Sequence, residues 1–328
     1  MTSRLRSLLP AAAAAAVVAI GALAPSLVQA QDYPARPVRM IIPFPPGGSN
    51  DVVGRMIAQK LGDKLGKQVV VDNRAGAGGV VGTEVGIAAP ADGYTLLVIS
   101  LAHAVNPWLY KLKYDSLKSI TPIALVGAGP NVLTVHPDLP VKSVQEFLDY
   151  AKKNPGKLNM AHAGIGSFQH LGSSLFLVMT KLDIVQVPYK GGGPAMIDTI
   201  AGHAQVTMGS LVQTTGHIRS GKLRALGVGG LKRVAILPDL PPIAEAGVPG
   251  YEANNWWGIV GPANLPKAIV DKLVADVSAV QDTPELKSAF EKEGAEVIKM
   301  GPDQFGKFIG TELVKWEKVV KEANIKAE

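Results

Sequence analysis

Hydrophobic positions in this chain fall into short solid runs, each followed by a longer stretch in which they recur every three or four residues. Val38 to Pro43, Gln68 to Asp72 and Tyr94 to Ile99 are runs of the first kind, the last introduced by the turn pair Asp92-Gly93. Residues 52–65 and about 80–89 carry the longer period. A solid apolar run reads as a strand covered on both faces. Such strands alternating with amphipathic helices predict parallel βαβ units in a doubly wound sheet. Between Thr121 and Val135 the rhythm breaks, and two strands are expected in succession, split by Gly127-Ala128-Gly129-Pro130. A crossover into a second lobe is expected there.

The pattern then restarts. Ser143-Val144-Gln145-Glu146 is a capping box opening a helix that ends near Lys153. Strands are expected at Leu158–Ala161, Ile184–Val187, Ala204–Met208 and Leu223–Gly229, with helices near 168–181 and 194–201. After Asn254-Asn255-Trp256-Trp257 comes a helical tail, with Pro266–Val280, a short helix opened by Thr283-Pro284, and Pro302–Ala323. Proline at or near each start fits its first-turn preference. The expected organisation is a leader at 1–30, a first lobe at 31–127, a second lobe at 128–222, and a return to the first lobe with C-terminal helices at 223–328.

The leader is read from its own pattern. Arg4 and Arg6 precede an apolar, alanine-rich run from Leu8 to Ala24, and Val28-Gln29-Ala30 supplies a small-x-small cleavage site. Pro10 and Pro25 bracket that run and disfavour a membrane anchor, and nothing else approaches the roughly 20 apolar residues a span requires. Export to the periplasm with cleavage after Ala30 is expected, leaving 298 of the 328 residues. The chain has no cysteine, which excludes disulfides, thiolate metal sites, cysteine nucleophiles and a lipid-modified N-terminal cysteine. Loss of two leader arginines lowers the formal net charge from +6 to +4. The remaining basic residues are scattered and aromatics are only 5%, so no nucleic-acid surface is indicated.

Candidate chemistry sits in the loops that follow strands, where an open α/β sheet binds its ligand. Met40 to Asp51 runs from a strand through Pro43-Phe44-Pro45-Pro46-Gly47-Gly48-Ser49-Asn50 straight into a helix. A helix start of this kind leaves backbone N–H groups that favour an anion. Ala161-His162-Ala163-Gly164-Ile165-Gly166-Ser167-Phe168-Gln169-His170 is a second copy of the device. Gly76-Ala77-Gly78-Gly79-Val80-Val81-Gly82 imitates a dinucleotide fingerprint, but Val81 stands where the third glycine is required. It is read as a tight turn, so no cofactor is expected. Ser49, Ser167 and Ser210 all follow glycine, yet none lies in a Gly-x-Ser-x-Gly elbow, and the histidines lack metal-ligand spacing. Neither a catalytic residue nor a metal site is assigned.

With these loops in view, the chain resembles the Bug-type periplasmic solute receptors, the extracytoplasmic subunits of tripartite tricarboxylate transporters. The resemblance rests on Pro43 to Gly48 with Asp51, Asn73-Arg74-Ala75-Gly76-Ala77-Gly78-Gly79, and Gly164-Ile165-Gly166-Ser167 with His170-Leu171. It continues through Val187-Pro188-Tyr189-Lys190-Gly191, Gly221 to Leu226, Leu237-Pro238-Asp239-Leu240-Pro241, and Trp257-Gly258 with Gly261-Pro262-Ala263. It implies a two-lobed α/β fold of the second periplasmic-binding-protein type, each lobe a mainly parallel doubly wound sheet, with the ligand in the cleft. It also implies a small carboxylic acid as ligand, integral-membrane permease subunits as partners, and no enzymatic activity. The receptor is expected to act as a monomer. A sensor subunit for a signalling kinase shares the same binding chemistry, and a secreted hydrolase is the enzyme alternative.

The expected mechanism has backbone N–H groups around Gly47, Gly48, Ser49 and Asn50 holding one carboxylate, opposed by those around Gly164, Ile165, Gly166 and Ser167, with His170 nearby. Phe44 is expected either to cover the ligand or to pack as a strand-end aromatic, and Tyr189 and Ser210 are candidate donors at the cleft edge. Asp51 would repel an anion and is read as a loop brace. Where such receptors often place an acid after an aromatic, this chain reads Met208-Gly209-Ser210, which argues against an ammonium-bearing ligand and suggests room for a bulkier acid.

Overall fold

The protein is described by a computed structural model covering residues 33–322 and 325–326. The leader and its cleavage site lie outside the described residues. The chain divides into Met1–Ala35 and Arg36–Glu328, and the elements below belong to the second unit.

Strands β1 (Val38–Ile42), β2 (Val69–Asn73) and β3 (Thr95–Ser100) pair in parallel in the order β2-β1-β3. The solid apolar runs of β1 and β3 are explained by helices on both faces, which remove Met40, Ile41, Leu96 and Leu97 from water. Helix α1 (Ser49–Leu65) follows β1, α2 (Val80–Ile87) follows β2, and α3 (Leu101–Leu109) follows β3. Gly66 ends α1 in the left-handed conformation at φ 64°, where a side chain would be strained. At the far end of the sheet, β5 (Asn159–His162), β6 (Val185–Pro188) and β7 (Val206–Ser210) form a second parallel set in the order β7-β5-β6. Helices α4 (Val144–Lys153), α5 (Phe168–Thr180), α6 (Gly192–Ile200) and α7 (Leu211–Arg219) accompany it. Each set has its own apolar core, one around Phe147, Phe176, Met208 and Tyr251, the other around Ile41, Leu97, Trp256 and Phe305.

Two long strands join the sets. β4 (Ile120–Val135) is continuous over 16 residues, so the expected split at Gly127–Pro130 is corrected. Its Ile120–Pro130 part runs antiparallel to β9 (Asn254–Pro262), and its Asn131–Val135 part pairs antiparallel with β7 and with β8 (Arg224–Val228). Glycine serves close packing here and not a turn, because a Cβ on Gly127 would lie 2.5 Å from the Phe290 ring. β9 also pairs with β3, which closes the order β2-β1-β3-β9-β4-β7-β5-β6. The sequence reading passed over β9, α3 and α7. β9 carries Gly258, Gly261 and Pro262, loop-like residues that make room for Phe305 and Leu265 against the strand. α3 contains Pro107. The tail forms α8 (Lys267–Asp282), α9 (Pro284–Lys292) and α10 (Pro302–Glu322), and α10 seats beside α3, where Trp108 Nε1 donates to Leu313 O at 3.1 Å. The Ser143 cap forms, Glu146 N–H donating to Ser143 Oγ at 3.1 Å. The reciprocal Glu146 carboxylate takes the N–H of Lys142 at 2.7 Å.

Candidate functional site

Parallel strands deliver their following helices to the same end of a sheet, so helix starts collect at the carboxyl ends of the strands. Here the two parallel sets face each other in that way. The N-terminal ends of α1, α3, α5, α6 and α7 all border one small cavity, through Gly48, Ser100, Ser167, Gly192 and Gln213 respectively. Phe44, Ser49, Asn50, Ala163, Phe168, Gln169 and Asn255 complete its wall. Among the described residues, no lysine, arginine, histidine or carboxylate lines it. Each helix start carries about half a positive charge, so the cavity favours an anion although its wall is formally neutral. The cavity measures about 30 Å³, close to one water molecule's share of liquid volume, whereas ligand pockets run to several hundred. The walls must part to admit even a small acid.

Of the residues singled out in sequence, Phe44, Gly48, Ser49, Asn50 and Ser167 line the cavity. Ser49 N–H donates to Gln213 Oε1 at 3.2 Å, a bond that ties the start of α1 to the first turn of α7. Asn50 is held from two sides, accepting from Trp257 Nε1 at 3.0 Å and donating to Ser100 Oγ at 3.1 Å. Because an indole nitrogen only donates, this pair sets the amide's orientation. Ser167 Oγ caps α5 by accepting from His170 N–H at 3.2 Å, and its own proton is left to donate. Asp51 accepts from Gly47 N–H at 3.0 Å, Asn73 Nδ2 at 2.8 Å and Arg55 Nε at 2.9 Å, so its carboxylate faces the loop.

Gly47, Gly164, Ile165, Gly166, His170, Tyr189 and Ser210 do not line the cavity. Gly47 gives its N–H to Asp51. The loop Gly164–Gly166 turns away because Gly164 and Gly166 are left-handed at φ 99° and 77°. It seats on the end of α3 instead, where Tyr110 Oη donates to Ile165 O at 3.0 Å. Two of its four expected anion donors are already used, with Ser167 N–H on Gly164 O at 3.1 Å and Gly166 N–H on His170 Nδ1 at 3.3 Å. The His170 ring lies tilted at 36° against that of His162, with 4.7 Å between centroids. Burial brings the His162 imidazole down to about 3, helped by the neighbouring ring, and His170 down to about 4. Both are therefore neutral near pH 7. Tyr189 Oη donates to Asp198 at 2.7 Å, and burial together with that carboxylate pushes its phenol up to about 12. Ser210 Oγ is buried at the start of α7 and, among the described residues, has no hydrogen-bond partner.

Met208 does not widen the cleft. Its side chain lies in the second core, with Sδ 3.9 Å from Tyr251 Oη. The space above Gly209 is taken by Thr214 Cγ2 and Gln213 Nε2, at 2.8 and 3.2 Å from where a Cβ would stand. The expected room for a bulkier acid is therefore corrected.

Gln169, Gln213, Ser100 and Asn255 escaped the sequence reading. A signal existed for one of them, because Ser210-Leu211-Val212-Gln213 has the serine-to-glutamine spacing of a capping box and marks the start of α7. Ser100 and Asn255 carry no such pattern, since only the pairing of β3 with β9 brings them to the site.

A larger hollow of about 710 Å³ opens where β4 and β9 meet α10. Glu291, Glu296 and Glu312 line it together with Lys232, Arg233 and Lys315, and it takes in the C-terminal end of α9. Mixed charge at a helix end of negative sign does not make an anion site. Among the described residues no group of histidine, aspartate or glutamate side chains could hold a metal ion.

Residues 53–325 match the family model described as the tripartite tricarboxylate transporter family receptor. Protein BugT of Bordetella pertussis is 38% identical over 302 residues, covering 91% of this chain and 93% of BugT. The solved periplasmic binding protein BugD superposes with a TM-score of 0.87 at 36% identity, covering 90% of this chain and 100% of BugD. R. palustris Rpa4515, solved with adipate, gives a TM-score of 0.87 at 34% identity over 90% of this chain and 100% of its own.

Proposed function

The chain belongs to the tripartite tricarboxylate transporter receptor family, and from that premise we propose that it closes on a small carboxylic acid at the cavity shared by five helix starts. It is a periplasmic solute-binding receptor and not an enzyme. The observation carrying the ligand class is the convergence of α1, α3, α5, α6 and α7 on a wall without a cationic side chain. Dipoles fixed in place before the ligand arrives attract its charge without the flexibility of a lysine. One carboxylate is held at the start of α1 by the N–H groups of Ser49 and Asn50, with the Ser167 hydroxyl opposing, while Phe44 and Phe168 cover the carbon chain. Asp51 keeps the loop in shape through its bond to Gly47.

Capture requires opening, because the closed cavity is about 30 Å³. The bonds Ser49 N–H to Gln213 and Tyr110 Oη to Ile165 O are the contacts that part. The lobes are taken as 31–127, 128–222 and 223–328. The pairing of β8 with Val132–Val135 favours carrying the second lobe through Val228. The receptor acts as a monomer, delivers its acid to membrane permease subunits, and is released from its leader by cleavage after Ala30.

A thermal-shift screen of the purified receptor against mono- and dicarboxylic acids tests the reading. An acid at a hundred times its Kd stabilises by about 2.7 kcal/mol, which is visible as a rise in Tm. The fully esterified methyl ester of that acid should give no shift, because the dipoles then have no charge to hold. Failure of every acid, or equal binding of the ester, overturns the proposal.

A further inference from the structure

Two carboxamides in the cavity wall are buried without the partners such groups require. Gln169, in the first turn of α5, is 3% exposed, and neither its Nε2 nor its Oε1 has a partner among the described residues. Gln213, in the first turn of α7, is 9% exposed, and its Nε2 is likewise unpartnered. Their amides meet over Gly192, where a Cβ would stand 2.6 Å from Gln213 Oε1 and 3.2 Å from Gln169 Nε2. Buried polar atoms are almost always paired, so three unpaired ones converging in one cavity mark a place where something else supplies the partner.

We propose that Gln169 and Gln213 form a second subsite that reads the far end of the bound acid. The pair selects acids bearing a second oxygen function over acids that end in hydrocarbon or in ammonium. The inference rests on the carboxylate reading above. Gln213 Oε1 now accepts the Ser49 N–H that lies at the start of α1. When the ligand's carboxylate takes that N–H, the amide it displaces is released to turn toward the ligand. Two carboxamide nitrogens then offer four N–H donors to a carboxylate, hydroxyl or carbonyl oxygen. A hydrocarbon end would leave those donors buried and unpaired, which costs about tenfold or more in affinity. An ammonium end is disfavoured by the positive ends of the five helices. A pair that merely braced the fold would be bonded to protein atoms, and Gln169 is not.

The test compares matched acids on wild type, Gln169→Met and Gln213→Met by titration calorimetry. Methionine keeps the length of glutamine and removes its donors. The probes are adipate, hexanoate and 6-aminohexanoate, with succinate, butyrate and 4-aminobutyrate as a shorter set. In at least one set the wild type should bind the diacid about tenfold or more tighter than the monoacid, and the amino acid weakest. Each methionine variant should shrink that preference to roughly threefold or less, the diacid losing more affinity than the monoacid. A wild type that shows no preference for the diacid overturns the subsite and leaves the carboxylate reading standing. So does a preference that survives both substitutions, or an equal loss for diacid and monoacid. A wild type that binds no acid at all sinks both readings. Wild-type selectivity alone keeps the test decisive should a variant fail to fold.

Discussion

Asp51 separates a loop brace from a ligand contact, and its removal has a calculable effect. Its carboxylate is 4% exposed and accepts from Gly47 N–H at 3.0 Å and Asn73 Nδ2 at 2.8 Å, and from Arg55 Nε at 2.9 Å. In Asp51→Ala the first two bonds are lost at roughly 1–1.5 kcal/mol each, because water reaches the exposed Gly47 and softens the loss. The Arg55 side chain is 52% exposed, so its ion pair adds at most about 0.5–1 kcal/mol. An acid in the first turn of α1 contributes about 0.3–1 kcal/mol through the helix dipole. The sum is about 2–5 kcal/mol, which for a chain of this size lowers Tm by roughly 4–10 °C. Asp51→Asn keeps an acceptor and should lose about half as much. Calorimetric melting without added acid reads the brace directly, and titration with the acid found in the screen reads the site. Affinity should fall as well, because Gly48 and Ser49 are carried on the loop that Asp51 holds. If Asp51→Ala melted with the wild type but no longer bound acid, the carboxylate would be touching ligand and the brace would be refuted.

Two more outcomes follow from distances at the site and from its histidines. Gly192→Ala places a methyl 2.6 Å from Gln213 Oε1, the far end of a flexible side chain, so Tm should stay nearly constant while affinity falls about tenfold; unchanged affinity would show that the amides do not meet ligand there. His162 and His170, lowered to about 3 and 4 from 6.5, take up protons more readily once unfolded. Their contribution is complete above pH 6.5 and declines as pH falls toward 4, by up to about 1.4 kcal/mol per pH unit for each ring. The buried His103, also lowered by burial, adds in the same direction. Melting between pH 7 and 4.5 should steepen accordingly, and a His162→Gln/His170→Gln double variant with the wild-type slope would refute this.

The local pattern alone carried much of this protein. Short apolar runs such as Val38–Ile42, broken only by Arg39, read as strands covered on both faces, and the proline-led tail helices needed no tertiary information to be placed. The loop after β1 was legible for the same reason, since a Gly-Gly-Ser stretch at a helix start exposes N–H groups whatever the rest of the chain does. Tertiary structure decided where those groups point and what meets them. Gly164 and Gly166 look like a second anion loop in sequence, yet their left-handed turns carry the loop away from the cavity and spend two of its donors on Gly164 O and His170. Gly127–Pro130 and Gly258–Pro262 look like loops, yet long-range pairing makes them strands, with glycine admitting Phe290 and Phe305. Gln169 and Gln213 stand 44 positions apart, and only the meeting of α5 and α7 beside Gly192 gives their amides a shared purpose. Periodicity and turn chemistry act over a few residues and are written in order along the chain. A binding wall is assembled from contacts between distant segments, and that is decided only when the sheet closes.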